Sequence, residues 1–308
     1  MTAVDRGRAL ALATIVAGAA CASGAGTARD APAASSPGAP AASPPDTAPS
    51  PGTAAEAPPP DAPAAGAAPP AAGPARPWPP PPPGVRTDWC IEGVSALDEA
   101  TCYALPDAPP EALLIYLHGI VPPSGPSAQK TNLETVVTNA SRRAGVAAIM
   151  PRGEQGLGPK GQEQWWGWPT GEASYRRRGP ALIAAIAETR RRFEAFTGVA
   201  FSRVYVAGSS SGAYFVSELA LRGGLRADGF AAISGGAPRP TAELASLAPT
   251  PFYIGYGTHD PAAASARALA ALLRRAGWPL RVEAHPVPHG THEVYLDEAF
   301  AFFRSAGR

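Results

Sequence analysis

The sequence lacks the charge and the glycine-rich motif that would indicate a nucleic-acid partner or a phosphate-binding loop. It contains only three cysteines, and its formal net charge is +1. A nearly balanced charge gives no electrostatic reason to expect a nucleic-acid partner. The glycines in segment 151–175 are not followed by Gly-Lys-Ser/Thr, which excludes a phosphate-binding loop there. Evidence for function must therefore come from the order and spacing of the polar residues along the chain.

The chain divides into two parts of unlike composition. Residues 22–86 are almost entirely Ala, Pro, Gly, Ser and Thr, and they hold more than half of the 38 prolines. Such a segment cannot bury enough apolar surface to offset its ordering entropy, so we predict a disordered linker. Residues 87–308 have the length and composition of one α/β domain.

The N-terminus has the pattern of an export signal. Arg6 and Arg8 precede an apolar stretch from Ala9 to Ala20, which is too short to span a bilayer. Cys21 then follows small residues in a pattern that resembles a bacterial lipobox. The resemblance implies a signal peptide over 1–21, a lipid on Cys21, and a membrane-anchored protein of the cell envelope. Plain secretion and a retained N-terminus are the alternatives.

The cysteine count agrees with export. If Cys21 carries lipid, Cys90 and Cys102 remain as an even pair, and exported proteins commonly oxidise such pairs. We therefore predict a Cys90–Cys102 disulfide, with two free thiols as the alternative.

Apolar runs alternate with helical patterns after residue 110. This alternation predicts a mostly parallel sheet with helices on both faces, whose ligands bind at the carboxyl ends of the strands. The predicted strands are 112–117, 145–150, 204–207, 230–234, 251–256 and 280–284, and the predicted helices are 176–197, 213–222, 261–276 and 293–303.

One strand end carries a candidate nucleophile. The run from Val204 to Phe215 breaks into Gly208-x-Ser210-x-Gly212, between a Val-rich strand and an amphipathic helix. A sharp strand-to-helix turn needs small residues on either side of its apex, and only Ser210 has glycine at both offsets. In a glycine-rich chain the pentapeptide alone is weak, so its context carries the prediction.

Three more polar sites follow predicted strands. They are the run Leu117-His118-Gly119-Ile120, Asp260 at the end of Tyr256–Asp260, and a histidine within Val287–Val294. With Ser210, Asp and His in this order, the sequence from Leu113 to Phe303 resembles the α/β-hydrolase superfamily. It resembles more loosely the branch that holds polyhydroxybutyrate depolymerases and feruloyl esterases.

The resemblance implies a role for each site. Asp260 would be the catalytic acid and His292 the base, with His289 as the alternative, and no cofactor is implied. The backbone N–H groups of Ile120 and Ser211 would form the oxyanion hole, with His118 as a structural residue.

Other interpretations of the same residues stay open. Asp260 could merely cap the helix at Pro261, and Asp228 is the reserve acid. A metal site of His285, His289 and His292 is a weak alternative because their spacing is loose.

The surroundings of the site suggest what it takes. The segments after Ser234 and after Asp260 are too short for a large helical lid, so loops 119–132 and 151–175 should wall the pocket. Trp165, Trp166 and Trp168 would line an acyl or aromatic subsite, or else pack their loop onto the sheet.

The sequence therefore predicts a monomeric exported serine hydrolase. It would cleave small-molecule or polymeric carboxylic esters through an acyl-enzyme. A serine peptidase or thioesterase could use the same residues. A non-catalytic surface-binding protein could also have kept the fold.

Overall fold

The computed structural model describes Val85, residues 87–123 and residues 127–306. The predicted signal with Cys21, and all of the predicted linker except Val85, lie outside the described residues. None of the described helices combines the length and apolar character needed to cross a bilayer.

The described residues form one eight-stranded sheet with five α-helices. The strands are β1 (Ser95–Asp98), β2 (Thr101–Ala104), β3 (Ala112–Leu117), β4 (Val146–Pro151), β5 (Val204–Ser209), β6 (Gly229–Ile233), β7 (Phe252–Gly257) and β8 (Leu280–His285). The helices are α1 (Ala128–Ala144), α2 (Glu172–Thr197), α3 (Ser211–Leu221), α4 (Ala263–Arg275) and α5 (Glu293–Ala306).

The sheet order is β1-β2-β4-β3-β5-β6-β7-β8. Strands β3 to β8 pair in parallel, whereas β1 and β2 add an antiparallel edge. The predicted mostly parallel sheet is therefore confirmed, and the two edge strands were not predicted.

Alternating side chains of the central strands enter two separate cores. Leu113 and Ile115 of β3 face a core shared with α2, α3 and α4, whereas Leu114 and Tyr116 face a core shared with α1 and α5. Because successive strand residues point to opposite faces, a strand covered on both sides must be apolar throughout. This explains the unbroken apolar run of β3 and the carboxyl-end location of its polar residues.

Helix α1 occupies residues that the sequence analysis assigned partly to a loop. Its N-terminus is capped by Ser127, whose Oγ accepts from the Lys130 N–H, and it ends at Gly145 with φ 66°. The predicted wall loop 119–132 is thus shorter, because its last residues are helical. Both boundary signals, Ser127 and Gly145, are present in the sequence. The segment between them is weakly apolar and rich in Thr, so it shows no clear helical pattern.

A disulfide joins the first described segment to the sheet. Cys90 and Cys102 are bonded with their Cα atoms 5.5 Å apart, and Cys102 lies in β2. The neighbouring Ile91 N–H donates to the Glu134 carboxylate of α1 at 2.8 Å. The indole of Trp89 meanwhile packs 5.4 Å from the His118 ring. The pair therefore holds an aromatic side chain against the loop that follows β3.

Removing this bond should destabilise the protein. For the double variant Cys90→Ser/Cys102→Ser we expect the free energy of unfolding to fall by about 2–3 kcal/mol, the chain-entropy value for a short loop. Urea unfolding with and without reductant measures it. Reductant should lower the stability of the wild type to that of the variant and leave the variant unchanged. Equal stability of oxidised wild type and variant would contradict the prediction.

Candidate active site

The turn between β5 and α3 holds Ser210 at its apex. Ser210 has φ 52°, and its N–H donates to the Ile233 carbonyl of β6 at 3.0 Å. A Cβ on Gly212 would overlap the Leu117 carbonyl of β3, and one on Gly208 would lie 2.6 Å from the Gly212 carbonyl carbon. The two glycines are therefore required by close packing of the turn onto β3, as the pentapeptide predicts.

His289 bridges Ser210 and Asp260. Its Nε2 lies 3.0 Å from Ser210 Oγ, and its Nδ1 lies 2.8 Å from Asp260 Oδ1. A carboxylate accepts, so we assign the Nδ1–H tautomer, which leaves Nε2 to accept from the serine hydroxyl. The His289 side chain is 39% exposed while that of Asp260 is fully buried. The arrangement can take a proton from Ser210 on its open side.

The environment keeps Asp260 ionised. Burial raises the pKa of Asp260, but hydrogen bonds from His289 and from the Ala262 N–H act against it, and the pKa ends below its ordinary value. The Ala262 N–H donates to Oδ1 at 2.7 Å in the turn before α4. Helix α4 begins at Ala263, with Ala262 at its N-cap and no side-chain cap bond, so Asp260 does not cap the helix as the alternative proposed.

The assignment of His292 as the base is wrong in geometry. His292 Nε2 contacts the Pro288 carbonyl at 3.2 Å, and its ring packs against Tyr295 at 5.8 Å. It reaches neither Ser210 nor Asp260. The alternative residue, His289, takes the position instead.

Thr291 explains why the register falls on His289. Its hydroxyl donates to Ser209 Oγ at 3.0 Å and contacts the Tyr116 hydroxyl at 2.9 Å, and its carbonyl accepts from Asn132 Nδ2 at 3.0 Å. Ser209 directly precedes Ser210 in the chain, Tyr116 lies in β3 and Asn132 lies in α1. This anchor places the residue two positions earlier over Ser210. Thr291 stands two residues after His289 in the sequence, but its role as the anchor of this loop is evident only from these contacts.

The loop after β3 is oriented by His118. Its Nε2 accepts from the Gly153 N–H at 2.9 Å, so Nδ1 carries the proton and donates to the Gly119 carbonyl. In a trans peptide the C=O and N–H point in opposite directions, so the Ile120 N–H faces away from His118. A Cβ on Gly119 would come within 3.2 Å of Ser210 Cβ, so this peptide borders the nucleophile.

Ser211 supplies a second available amide. It is the first residue of α3, and the first N–H groups of a helix have no intrahelical acceptor. Its side chain and that of Ile120 both border Gly167. The two residues predicted for the oxyanion hole therefore lie together beside Ser210.

The tryptophans do not share one role. Trp168 is 1% exposed, stacks on Phe215 at 5.6 Å and lies 5.5 Å from the His118 ring. It belongs to the core, so its assignment as a pocket-lining residue is corrected. Trp165 and Trp166 are half-buried, and the Trp166 backbone pairs with Val121 in the loop after β3.

The three histidines of the metal interpretation have separate partners. His285 Nε2 contacts Glu298 at 3.2 Å, whereas His289 and His292 make the contacts given above. Within residues 87–123 and 127–306, no three His, Cys, Asp or Glu side chains are grouped as a metal site would require. Asp228, the reserve acid, accepts from the Val204 N–H at the opposite end of the sheet.

A solved structure that resembles this one defines its fold class. A Bacillus cereus carboxylesterase aligns with a TM-score of 0.51 at 18% identity, over 70% of this chain and 95% of its own. Esterase PE8 gives 0.49 at 19% over 66% and 95%, and Arabidopsis thaliana SOBER1 gives 0.49 at 18% over 64% and 99%. No protein-family model and no curated protein matches the sequence.

The chain has the α/β-hydrolase fold, as predicted. At these identities the likeness establishes the fold and leaves function to the site itself. The narrower resemblance to polyhydroxybutyrate depolymerases and feruloyl esterases stays a prediction.

Two histidine variants separate the alternatives for the base. His289→Ala should lower kcat for an activated ester by about 10⁴-fold or more, because no other group then takes the Ser210 proton. His292→Ala should stay within a few-fold of the wild type. Steady-state kinetics on p-nitrophenyl acetate measures both. The reverse pattern would restore His292.

His118 should make stability depend on pH. Burial lowers its pKa from 6.5 to about 4, an effect that Lys130 and Arg152 reinforce and the Gly119 bond opposes. Between these values the unfolded chain binds a proton that the folded protein excludes. Stability therefore falls as the pH drops from 6.5 to about 4, by on the order of 3 kcal/mol.

Urea unfolding of wild type and His118→Asn across this window tests the assignment. The variant removes the titrating group, so the difference in unfolding free energy between the two proteins should change with pH. A difference that is constant from pH 7 to pH 4 would show that His118 is not buried in its neutral form.

Proposed function

We propose that the protein is a serine hydrolase that cleaves carboxylic esters. The observation that carries the proposal is the continuous line Ser210 Oγ–His289 Nε2 (3.0 Å) and His289 Nδ1–Asp260 Oδ1 (2.8 Å). A serine hydroxyl is a weak nucleophile unless a base takes its proton, and the base needs a third group to fix its orientation. All three groups are in place, on a strand-to-helix turn that is buried except for the half-buried Ser210.

The geometry supports a two-step reaction. Ser210 Oγ attacks the ester carbonyl carbon while its proton passes to His289 Nε2, and Asp260 stabilises the resulting imidazolium. His289 then gives the proton to the leaving alcohol oxygen as the C–O bond breaks, which leaves an acyl group on Ser210. A water molecule, deprotonated by His289, attacks this acyl-enzyme, and the carboxylic acid leaves as Ser210 regains its proton.

The amides of Ile120 and Ser211 would bind the oxyanion. Both border the nucleophile, one held by His118 and the other at the positive end of α3. Preorganised donors need no rearrangement as charge develops on the carbonyl oxygen, which is why such groups lower the barrier by several kcal/mol.

The site favours short-chain or polymeric esters over buried lipids. Residues 234–251, which connect β6 to β7, contain no regular structure beyond the single 3₁₀ turn Glu243–Ser246. No helical lid is inserted there, and the His289 side chain remains partly exposed. An open site accepts a small ester or one unit of a polymer without a conformational gate.

We also propose that the protein works outside the cytoplasm with a lipid on Cys21. The bonded pair Cys90–Cys102 supports this proposal, because disulfides persist in oxidising compartments. The pattern of charges, apolar residues and small residues before Cys21 supports the anchor.

Fluorophosphonate labelling tests the enzyme. An activated nucleophile should form a covalent adduct, so peptide mass spectrometry of labelled full-length protein should place the adduct on Ser210. Ser210→Ala should remain unlabelled, and Ser217→Ala is the matched control, because the Ser217 hydroxyl donates to the Ala213 carbonyl of its own helix and the nucleophile is kept. The same spectra identify the N-terminal peptide, where an acylated Cys21 is expected. A wild type that neither labels nor hydrolyses p-nitrophenyl acetate would overturn the proposal in favour of a binding protein.

A substrate panel distinguishes an esterase from a peptidase or a thioesterase that uses the same residues. Acetate to palmitate p-nitrophenyl esters, aromatic-acid esters, a thioester and a peptide anilide should be compared by kcat/KM. We expect the short esters to be the best substrates. A preference for the anilide or the thioester would assign the same residues to a peptidase or a thioesterase.

A further inference from the structure

Ser234 lies at the centre of the candidate active site, although no step of the reaction above uses it. It follows β6, between the strand that carries Ser210 and the strand that leads to Asp260. Its N–H donates to the Gly255 carbonyl of β7 at 2.8 Å, and the preceding Ile233 carbonyl accepts the Ser210 N–H at 3.0 Å. The residue is completely buried.

The backbone at Ser234 is in a conformation that favours glycine. Its φ is 52°, and in the described part of the chain only Ser210 shares a positive φ among non-glycine residues. The next two residues of the turn, Gly235 and Gly236, are both glycine, whereas this position holds a serine. A side chain kept at a strained and buried position needs a contact that compensates for the strain.

The Ser234 hydroxyl makes that contact with the histidine loop. Its Oγ donates to the Gly290 carbonyl at 3.0 Å, and the Gly290 N–H approaches the same oxygen at 3.3 Å. Gly290 directly follows His289. One hydroxyl thus holds both backbone groups of the residue next to the proposed base.

The same hydroxyl reaches toward the acid. Asp260 Oδ1 accepts from His289 and from the Ala262 N–H, whereas Oδ2 is buried without a hydrogen bond of good geometry among the described residues. Hydrogen bonding from Ser234 is one of the causes that hold the pKa of Asp260 below its ordinary value, after burial has raised it and His289 has lowered it. In the structure the hydroxyl donates to the Gly290 carbonyl, and rotation about the Cβ–Oγ bond would direct its proton to the Asp260 carboxylate.

We propose that Ser234 is a positioning residue, which fixes the loop carrying His289 and offers its hydroxyl proton to Asp260 when the imidazole becomes charged. The inference rests on the proposed serine hydrolase function. It involves only rotation about the Cβ–Oγ bond, so no covalent bond forms or breaks at Ser234. Its effect on the reaction is exerted through His289 and Asp260.

Two titratable side chains face Asp260 from neighbouring elements. His289 approaches from the loop after β8. Tyr295 lies on α5, where burial and then the charge of Asp260 raise the pKa of Tyr295 to about 12. Tyr295 is therefore neutral throughout the range in which an esterase is assayed. Changes in the acidic limb of the pH profile then report on Asp260 and not on Tyr295.

The test compares Ser234→Ala with Ser234→Gly. Both remove the hydroxyl, but only glycine also relieves the positive φ, so the glycine variant should fold. The buried Ser217, whose hydroxyl donates to the Ala213 carbonyl at 2.7 Å, provides the control Ser217→Ala. Rates on p-nitrophenyl acetate are expressed per site titrated with fluorophosphonate, so an inactive fraction does not distort them.

We expect both Ser234 variants to lose about tenfold in kcat with KM unchanged, the size of one hydrogen bond to a charged group. The acidic limb of kcat/KM should also move to higher pH. Without the hydroxyl, the Asp260 carboxylate loses a hydrogen bond that favours its charged form, so its pKa rises. Ser217→Ala should match the wild type in both respects.

A Ser234→Gly enzyme with wild-type kcat and an unmoved acidic limb would overturn this inference and leave Ser234 a backbone residue only. That result is distinct from failure of the proposed function, in which the wild type itself would show no titratable site and no turnover.

Discussion

The close approach of the nucleophile turn to β3 is the constraint on which the rest of the site depends. The first turn of α3 lies against the carbonyl of Leu117, where there is no room for a Cβ at Gly212. This contact fixes the strained conformation of Ser210. It also brings the end of β3, where the His118 loop starts, directly beside the serine. The proposed nucleophile and the proposed oxyanion donor are therefore placed by one packing contact.

A second set of contacts connects the histidine loop to the same place. Hydroxyl groups of Tyr116, Thr291 and Ser209 form a buried chain from β3 through the histidine loop to β5. Buried hydroxyls are costly unless they are paired, and here each satisfies another. The chain links three segments that are far apart in sequence. The proposed base is thus positioned by the polar contacts of its loop, whereas the proposed acid is positioned by the strand before it and the helix after it.

The sequence allowed the central strands, the nucleophile and the acid to be located. Strand-length apolar runs and glycine spacing are local signals, so β3, β5 and Ser210 could be read without tertiary contacts. The choice between His289 and His292 could not, since it depends on where Thr291 is anchored by residues of β3, β5 and α1. The resemblance to the α/β-hydrolase superfamily favoured His292, whereas the contacts place His289 beside Ser210 and Asp260.

Ser234 and the edge of the sheet show the same limit. A serine before two glycines has no distinguishing pattern in sequence, and its φ of 52° and its contact with Gly290 appear only when β6, β7 and the histidine loop meet. Strands β1 and β2 are four residues each, and too short for a periodic pattern to be recognised. Trp168 was placed in a pocket because a loop tryptophan can serve either packing or binding, and burial alone decides.

The Cys90–Cys102 bond has a mechanical consequence. A pulling force that enters the described chain ahead of Cys90 passes through the covalent bridge to Cys102 in β2. The load therefore bypasses β1, which would otherwise peel from the sheet edge one hydrogen bond at a time. Strand β2 pairs with β4 along four residues and resists as a unit. Tension on the N-terminal side is thus borne by the edge of the sheet, with β4 and β3 standing between that edge and the strand that carries Ser210.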